Sequence, residues 1–266
     1  MTEPVSSQSA STPTASALAG APVWIELFSS DLDRADRFYG ELLGWSAAHM
    51  GPEYGNYVQY SRDGKLAAGG MPNDGSSGGP DAWSVYLSTD DVEGTTASVT
   101  AHGGAVLVPP MPVMDLGTMA VYADPGQHPI SAWQPGTHPG FGALAEPGFP
   151  AWFELHTRGY DQTVQFYRDA FGWDAHTASD AEDFRYTTLG EGASQSAGIM
   201  DVSRFPDDHH TGWSIYFTTE DTDASVAQGR ELGATVIRPP EDTPFGRLAT
   251  LADPTGIVFK LSGPTG

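Results

Sequence analysis

Residues 23 to 28 alternate strictly. Period two predicts a strand with Val23, Ile25 and Leu27 on one face and Trp24, Glu26 and Phe28 on the other. Ser30-Asp31 can cap a helix, and Leu32, Ala35, Tyr39 and Leu42 then recur at helical spacing until Gly44. Residues 57 to 60 and 66 to 71 predict short strands around the Arg62-Asp63-Gly64 turn. The course then restarts. A strand is expected over 83–89, then a helix capped by Asp90 or Asp91 that runs to about His102 and ends at Gly103-Gly104. Strands near 105–108, 118–123 and 130–134 follow.

The whole pattern returns once more. Val23-Trp24-Ile25-Glu26-Leu27 is matched by Ala151-Trp152-Phe153-Glu154-Leu155, and Phe38-Tyr39 with Gly44-Trp45 by Phe166-Tyr167 with Gly172-Trp173. Trp83-Ser84-Val85-Tyr86 pairs with Trp213-Ser214-Ile215-Tyr216, Pro109-Pro110 with Pro239-Pro240, and Ala123-Asp124-Pro125 with Ala252-Asp253-Pro254. A duplicated domain follows, with a first copy over 21–135, a Pro/Gly-rich linker over 136–150 and a second copy over 151–266. Residues 1–20, rich in Ser, Thr, Ala and Pro, carry too little apolar content to fold alone and read as a disordered tail.

Composition narrows the partners. Twelve Lys and Arg against 34 Asp and Glu give a formal charge of -22, which would repel a phosphate backbone, so nucleic acid is not an expected partner. With Cys 0, disulfides, thiolate metal sites and a cysteine nucleophile are excluded together. No apolar run nears the ~18 residues of a membrane span, and the amino terminus lacks the basic start and apolar core of a secretory signal. A cytoplasmic, acidic protein is the expectation. The duplication supplies an internal twofold, so monomer and homodimer both stay open.

The order βαβββ twice per copy, the Asp-Leu-Asp-Arg-Ala-x-x-Phe-Tyr helix start (31 to 39) leading to Gly44-Trp45, and the Asp253-Pro254-Thr255-Gly256 turn resemble the vicinal oxygen chelate superfamily. That superfamily includes glyoxalase I, extradiol dioxygenases and bleomycin-resistance proteins. The tandem form is similar to two-domain glyoxalase-like proteins of actinobacteria. The resemblance implies an α+β fold of two tandem domains. In each, paired βαβββ modules form a cupped, partly open mixed sheet with the helices outside. It also implies one divalent metal held by His and Glu side chains on the strands. Counting from the helix start, those positions fall on Trp24, Ser84 and Ser131 in the first copy and on Trp152, Ser214 and Lys260 in the second. No metal or other cofactor is expected from such a set. The first copy also departs from the family turn, since Asp124-Pro125-Gly126-Gln127 lacks the fourth-position glycine.

Strand parity predicts what fills each cup instead. Trp24, Glu26, Phe28, Ser84, Tyr86, Ser131 and Trp133 face the first, and Trp152, Glu154, His156, Ser214, Tyr216 and Lys260 the second. Aromatic walls with a few polar groups suit a small-molecule pocket. Glu26 and Glu154, beside Tyr86 and Tyr216, are candidate acid/base groups with pKa raised by burial, or else structural carboxylates satisfied by hydroxyls or Lys260. The favoured function is a metal-independent enzyme, of lyase, isomerase or hydroxylase type, acting on an apolar or aromatic metabolite. A sequestering protein of the bleomycin-resistance type is the alternative, and a metal-dependent glyoxalase or dioxygenase the third. Asp207-Asp208-His209-His210 reads as a solvated loop, and Gly75 to Gly79 as a flexible one.

Overall fold

The computed structural model describes residues 19–76 and 78–265, so the tail expected over 1–20 lies outside the described residues except for its last two positions. The first copy runs β1 (Pro22–Ser29), α1 (Leu32–Leu43), β2 (Ser46–His49), β3 (Val58–Arg62), β4 (Lys65–Pro72), β5 (Ala82–Ser88), α2 (Val92–Ala101), β6 (Ala105–Val113), β7 (Gly117–Ala123) and β8 (Pro129–Pro135). The second repeats it as β9 (Pro150–Thr157), α3 (Tyr160–Phe171), β10 (Ala175–Ala181), β11 (Phe184–Leu189), β12 (Ala197–Asp201), β13 (Gly212–Thr218), α4 (Thr222–Glu231), β14 (Thr235–Thr243), β15 (Gly246–Ala252) and β16 (Val258–Gly263). No described helix is long and apolar enough to cross a membrane.

Each copy builds one open eight-stranded sheet, ordered β2-β3-β4-β1-β5-β8-β7-β6 and β10-β11-β12-β9-β13-β16-β15-β14. The two modules of a copy meet where β1 runs antiparallel to β5, and β9 to β13, so each cup is completed within its own copy. Helices start and stop where the sequence places them. The Asp31, Asp91 and Asp221 carboxylates accept the N–H of Arg34, Gly94 and Ala224, and Gly44 and Gly172 close α1 and α3 in the left-handed region.

Ile25, Leu27, Val85 and Leu87 on one face pack with the helices into a single core that continues into the other copy. The helices meet between the two sheets, α1 against α4 and α2 against α3. Reciprocal hydrogen bonds lock the halves. The Tyr39 hydroxyl donates to Asp253 at 3.0 Å and the Tyr167 hydroxyl to Asp124, while the Trp83 and Trp213 indoles each donate to their own copy's tyrosine at 3.2 Å. The two Asp-Pro turns are thus interface parts. The first keeps the shape of the second despite lacking its glycine, because Gln127 itself adopts the left-handed conformation (φ 65) that Gly256 takes at φ 96.

Three local expectations needed correction. β2 and its mate β10 carry no usable alternation; all four residues of β2 are exposed, and it forms only by pairing with β3 as an edge strand. β6 does not stop at Val108 but continues through Pro109-Pro110, with register shifts between Val106 and Met111. As an outermost strand it tolerates prolines at such bulges. A third shift, between Pro22 and Trp24, takes Val23 out of the helix-side row and packs it with Trp24, Tyr86 and Trp133.

Candidate functional site

Register fixes the floor of each cup, because residues paired across strands share a face. In the second cup one row runs Arg238, Thr250, Lys260, Tyr216 and Trp152, and beside it Ser214 lies opposite Glu154, which lies opposite Gly198. The same row in the first cup is Val108, Val121, Ser131, Tyr86 and Trp24, with Ser84 opposite Glu26 and Gly69. Trp24, Glu26, Ser84, Tyr86, Ser131 and Trp133 thus share one wall, as do Trp152, Glu154, His156, Ser214, Tyr216 and Lys260. Phe28 lies two residues along from Glu26, half-buried at the rim.

Glu154 is the hub of the second cup. Its Oε1 accepts from Tyr216 at 2.7 Å, Lys260 Nζ at 3.1 Å and His156 Nε2 at 2.6 Å, and its Oε2 accepts from the Tyr186 hydroxyl at 2.8 Å. Burial alone would push this carboxyl up; the Lys260 ammonium and the His156 bond outweigh it and hold Glu154 well below the usual carboxylate range. The rise expected from burial therefore does not occur at Glu154. Lys260 also donates to Tyr216 at 2.8 Å, and burial lowers its pKa against the pull of Glu154. His156 is buried and its pKa is lowered, which leaves it neutral with Nε2–H spent on Glu154.

A histidine outside the expected set completes the cup. His209 stacks on His156 at 5.2 Å and 13°, with Nε2 3.0 Å from His156 Nδ1, and Arg238 lies 3.4 Å from its Nδ1. Burial first, then the neighbouring His156 imidazole and the Arg238 charge, bring its pKa down to about 4. Residues 207–210 do form a loop before β13, exposed at three of its four positions, but His209 is half-buried in the cup and not solvated as expected. Arg158 donates to the carbonyls of Val202, Phe205 and Pro206, and Phe205 packs on the imidazole at 4.6 Å, which holds the loop over the cup.

The first cup holds a different arrangement. Glu26 accepts from Tyr86 at 2.7 Å and from Tyr57, with no cation among its partners, and burial raises its pKa against these two bonds. The segment after β8 lies across its mouth. Phe141 packs 5.6 Å from Trp24 and bonds to the Val23 carbonyl, and His138 meets Trp24 edge-on at 4.5 Å while its carbonyl takes the Trp133 indole. Trp24 is left 3% exposed, whereas Trp152 is half-buried.

Tyr57 and Tyr186 had no assigned role from sequence. Each accepts its cup tryptophan's indole N–H, at 3.1 Å and 2.8 Å, and donates its own hydroxyl hydrogen bond to the glutamate. The available signal was a pair of strand glycines. A Cβ on Gly69 or Gly198 would collide with the hydroxyl of Tyr57 or Tyr186. Arg238 also had a signal, because setting Pro109-Pro110 against Pro239-Pro240 puts Val108 opposite it.

Each copy is thus a cupped sheet whose floor carries a buried carboxylate, phenols and indoles. A profile of the Glyoxalase/Bleomycin resistance protein/Dioxygenase superfamily matches residues 21–131 and 150–261, and the chain belongs to that superfamily. It is 34% identical over 260 residues to the anthracycline biosynthesis protein DnrV of Streptomyces peucetius, covering 91% of this chain and 92% of that one. It is 31% identical over 250 residues to the putative glyoxylase CFP32 of Mycobacterium tuberculosis, covering 92% and 95%. In fold it resembles the Mn(II)-bound glyoxalase of Novosphingobium aromaticivorans (TM-score 0.66, 14% identity, 93% and 83% covered) and the 2,3-dioxygenase LapB of Pseudomonas sp. KL28 (0.63, 13%, 94% and 94%).

The metal that such a structural neighbour carries does not fit the side chains present. Among the described residues no three His, Asp or Glu groups converge as ligands. The chelate positions offer indoles and hydroxyls, and in the second cup an ammonium that would confront any cation with like charge.

Proposed function

We propose that the chain is a metal-independent enzyme acting on an aromatic small molecule in the second cup, with the Glu154–His156 pair as its acid/base device. The observation that carries this reading is a buried ionic cluster beside an unsatisfied group. Ser214 is 3% exposed and stands opposite Glu154, and its Oγ has no hydrogen-bond partner among the described residues. Buried hydroxyls are ordinarily satisfied, so an orphan among charges is a place for a ligand atom.

The tautomers form a consistent chain. With Nε2–H given to Glu154, His156 Nδ1 accepts the Nε2–H of His209, whose Nδ1 faces the mouth. A proton taken from the substrate at His209 Nδ1 is matched by one passed to His156, where Glu154 stabilises the imidazolium. Return along the same path gives an isomerisation or elimination that needs no co-reactant. Glu154 itself, held ionised, is the anchor of this chain. The relationship to a protein of anthracycline biosynthesis supports a polycyclic aromatic substrate. In the first cup Glu26 lacks both imidazoles and the ammonium, and its part is structural.

Incubating chelator-dialysed protein with a panel of polycyclic aromatic ketones and phenols, read by mass spectrometry, tests the reading. Conversion should survive chelation, be lost in Glu154→Gln and persist in Glu26→Gln. Activity that returns only with added metal overturns it. A compound bound but never converted establishes the sequestering role that the aromatic walls would also serve.

A further inference from the structure

The cation open to a ligand in the second cup is not Lys260. Lys260 Nζ already serves Glu154 and Tyr216, and its charge is cancelled by the carboxylate. Arg238 stands in the same cross-strand row, two strands farther out on β14, and is exposed. Among the described residues its guanidinium makes one hydrogen bond, the long one to His209 at 3.4 Å, and no ion pair with a carboxylate. On a chain of charge -22, a guanidinium without a carboxylate at the rim of a cup is a local exception to the surrounding field. The sister cup has Val108 there.

Resting on the reading that the second cup is the working site, we propose that its ligand is an aromatic carboxylate. The carboxylate is received at the mouth by the Arg238 guanidinium, and the ring lies along Trp152, Tyr216 and the Phe184–Tyr186 stack toward Ser214. The guanidinium fork matches two carboxylate oxygens, and its weak bond to His209 is readily exchanged for a charged one. Leaving His209 also frees Nδ1 of that ring to face the substrate. Phe184 and Tyr186 stack at 5.4 Å and 13° on the adjoining wall, a ready platform for a further planar ring.

The test uses the full chain with 15N-labelled indoles, titrated with 2-naphthoate and, separately, with methyl 2-naphthyl ketone, a neutral compound of similar shape. The Trp152 indole signal reports the second cup and that of Trp24 the first. The acid is expected to shift Trp152 and not Trp24, and to bind at least tenfold tighter than the ketone. Arg238→Met should erase that preference, and Arg238→Lys should restore part of it. Arg238 is exposed, so unchanged thermal melting of both variants separates lost recognition from lost folding. Equal affinity for acid and ketone at Trp152, or a preference that survives Arg238→Met, overturns the carboxylate proposal while leaving the second cup as the site. If neither compound moves Trp152, the reading of the cup falls as well.

Discussion

The two cups share a backbone and a glutamate, yet they treat that glutamate in opposite ways. Glu26 is surrounded by two phenols and its pKa rises; Glu154 has the same two phenols plus an ammonium and an imidazole, and its pKa falls. Two substitutions account for the reversal: Lys260 stands where the first copy has Ser131, and His156 where it has Phe28. The cups differ further in Arg238, which replaces Val108, and in Trp152, which is half-buried where Trp24 is covered by His138 and Phe141. One fold thus builds an aromatic cup whose carboxylate has only phenol partners and one whose carboxylate is paired with an ammonium. Burial sets neither outcome by itself, since both glutamates are 8% exposed.

The contrast breaks most sharply at Lys260. Lys260→Met strands a buried carboxylate and should cost about 3–5 kcal/mol in urea denaturation, against about 1 kcal/mol or less for Ser131→Ala in the first cup. A cost below about 1 kcal/mol for Lys260→Met would refute the ionic network. Phe141→Ala should cost about 2 kcal/mol, since the ring is only part-buried, and should raise acrylamide quenching of Trp24 while leaving Trp152 unchanged.

The pH dependence should run in opposite directions. Glu154, lowered on folding, contributes stability that is present above its unfolded pKa near 4.5 and is lost as pH falls. Glu26, raised on folding, contributes stability that is complete below about 4.5 and is lost as pH rises through its folded value. The stability gap between wild type and Glu154→Gln should therefore widen as pH rises from 3 to about 5 and level off above, whereas the gap for Glu26→Gln should shrink or reverse as pH rises above about 4.5. Denaturant titrations across that range with parallel slopes for both variants would show that the cups titrate alike. The smallest effect belongs to the turns. Gln127→Gly relieves a left-handed side chain and should stabilise by about 1 kcal/mol, with no gain available at Gly256.

The architecture and most of each cup were legible because alternation and duplication reinforce each other. Once Trp24, Glu26 and Tyr86 are set on one face, their partners in the second copy follow, and the register confirms them as neighbours. Parity failed only where the backbone slips a residue, at Val23, and where an edge strand has no buried face to mark it, as in β2. Electrostatics were less legible. That Lys260 would meet Glu154 depended on which modules pair, and two modules of one copy versus two of different copies leave the same sequence pattern. His209 was out of reach for another reason. It arrives on a loop placed by Arg158, and no periodicity encodes which of two adjacent histidines turns inward.

The reciprocal Tyr39–Asp253 and Tyr167–Asp124 clasp has a consequence for how such a molecule changes over generations. The clasp and the shared core sit on the helix side, and the glutamates and cup tryptophans sit on the opposite face of the sheets. Each half is scaffolding for its sibling, so one hollow can fill in with its own chain and still be retained for the support it gives, while the lining of the other can change its charges without loosening that support.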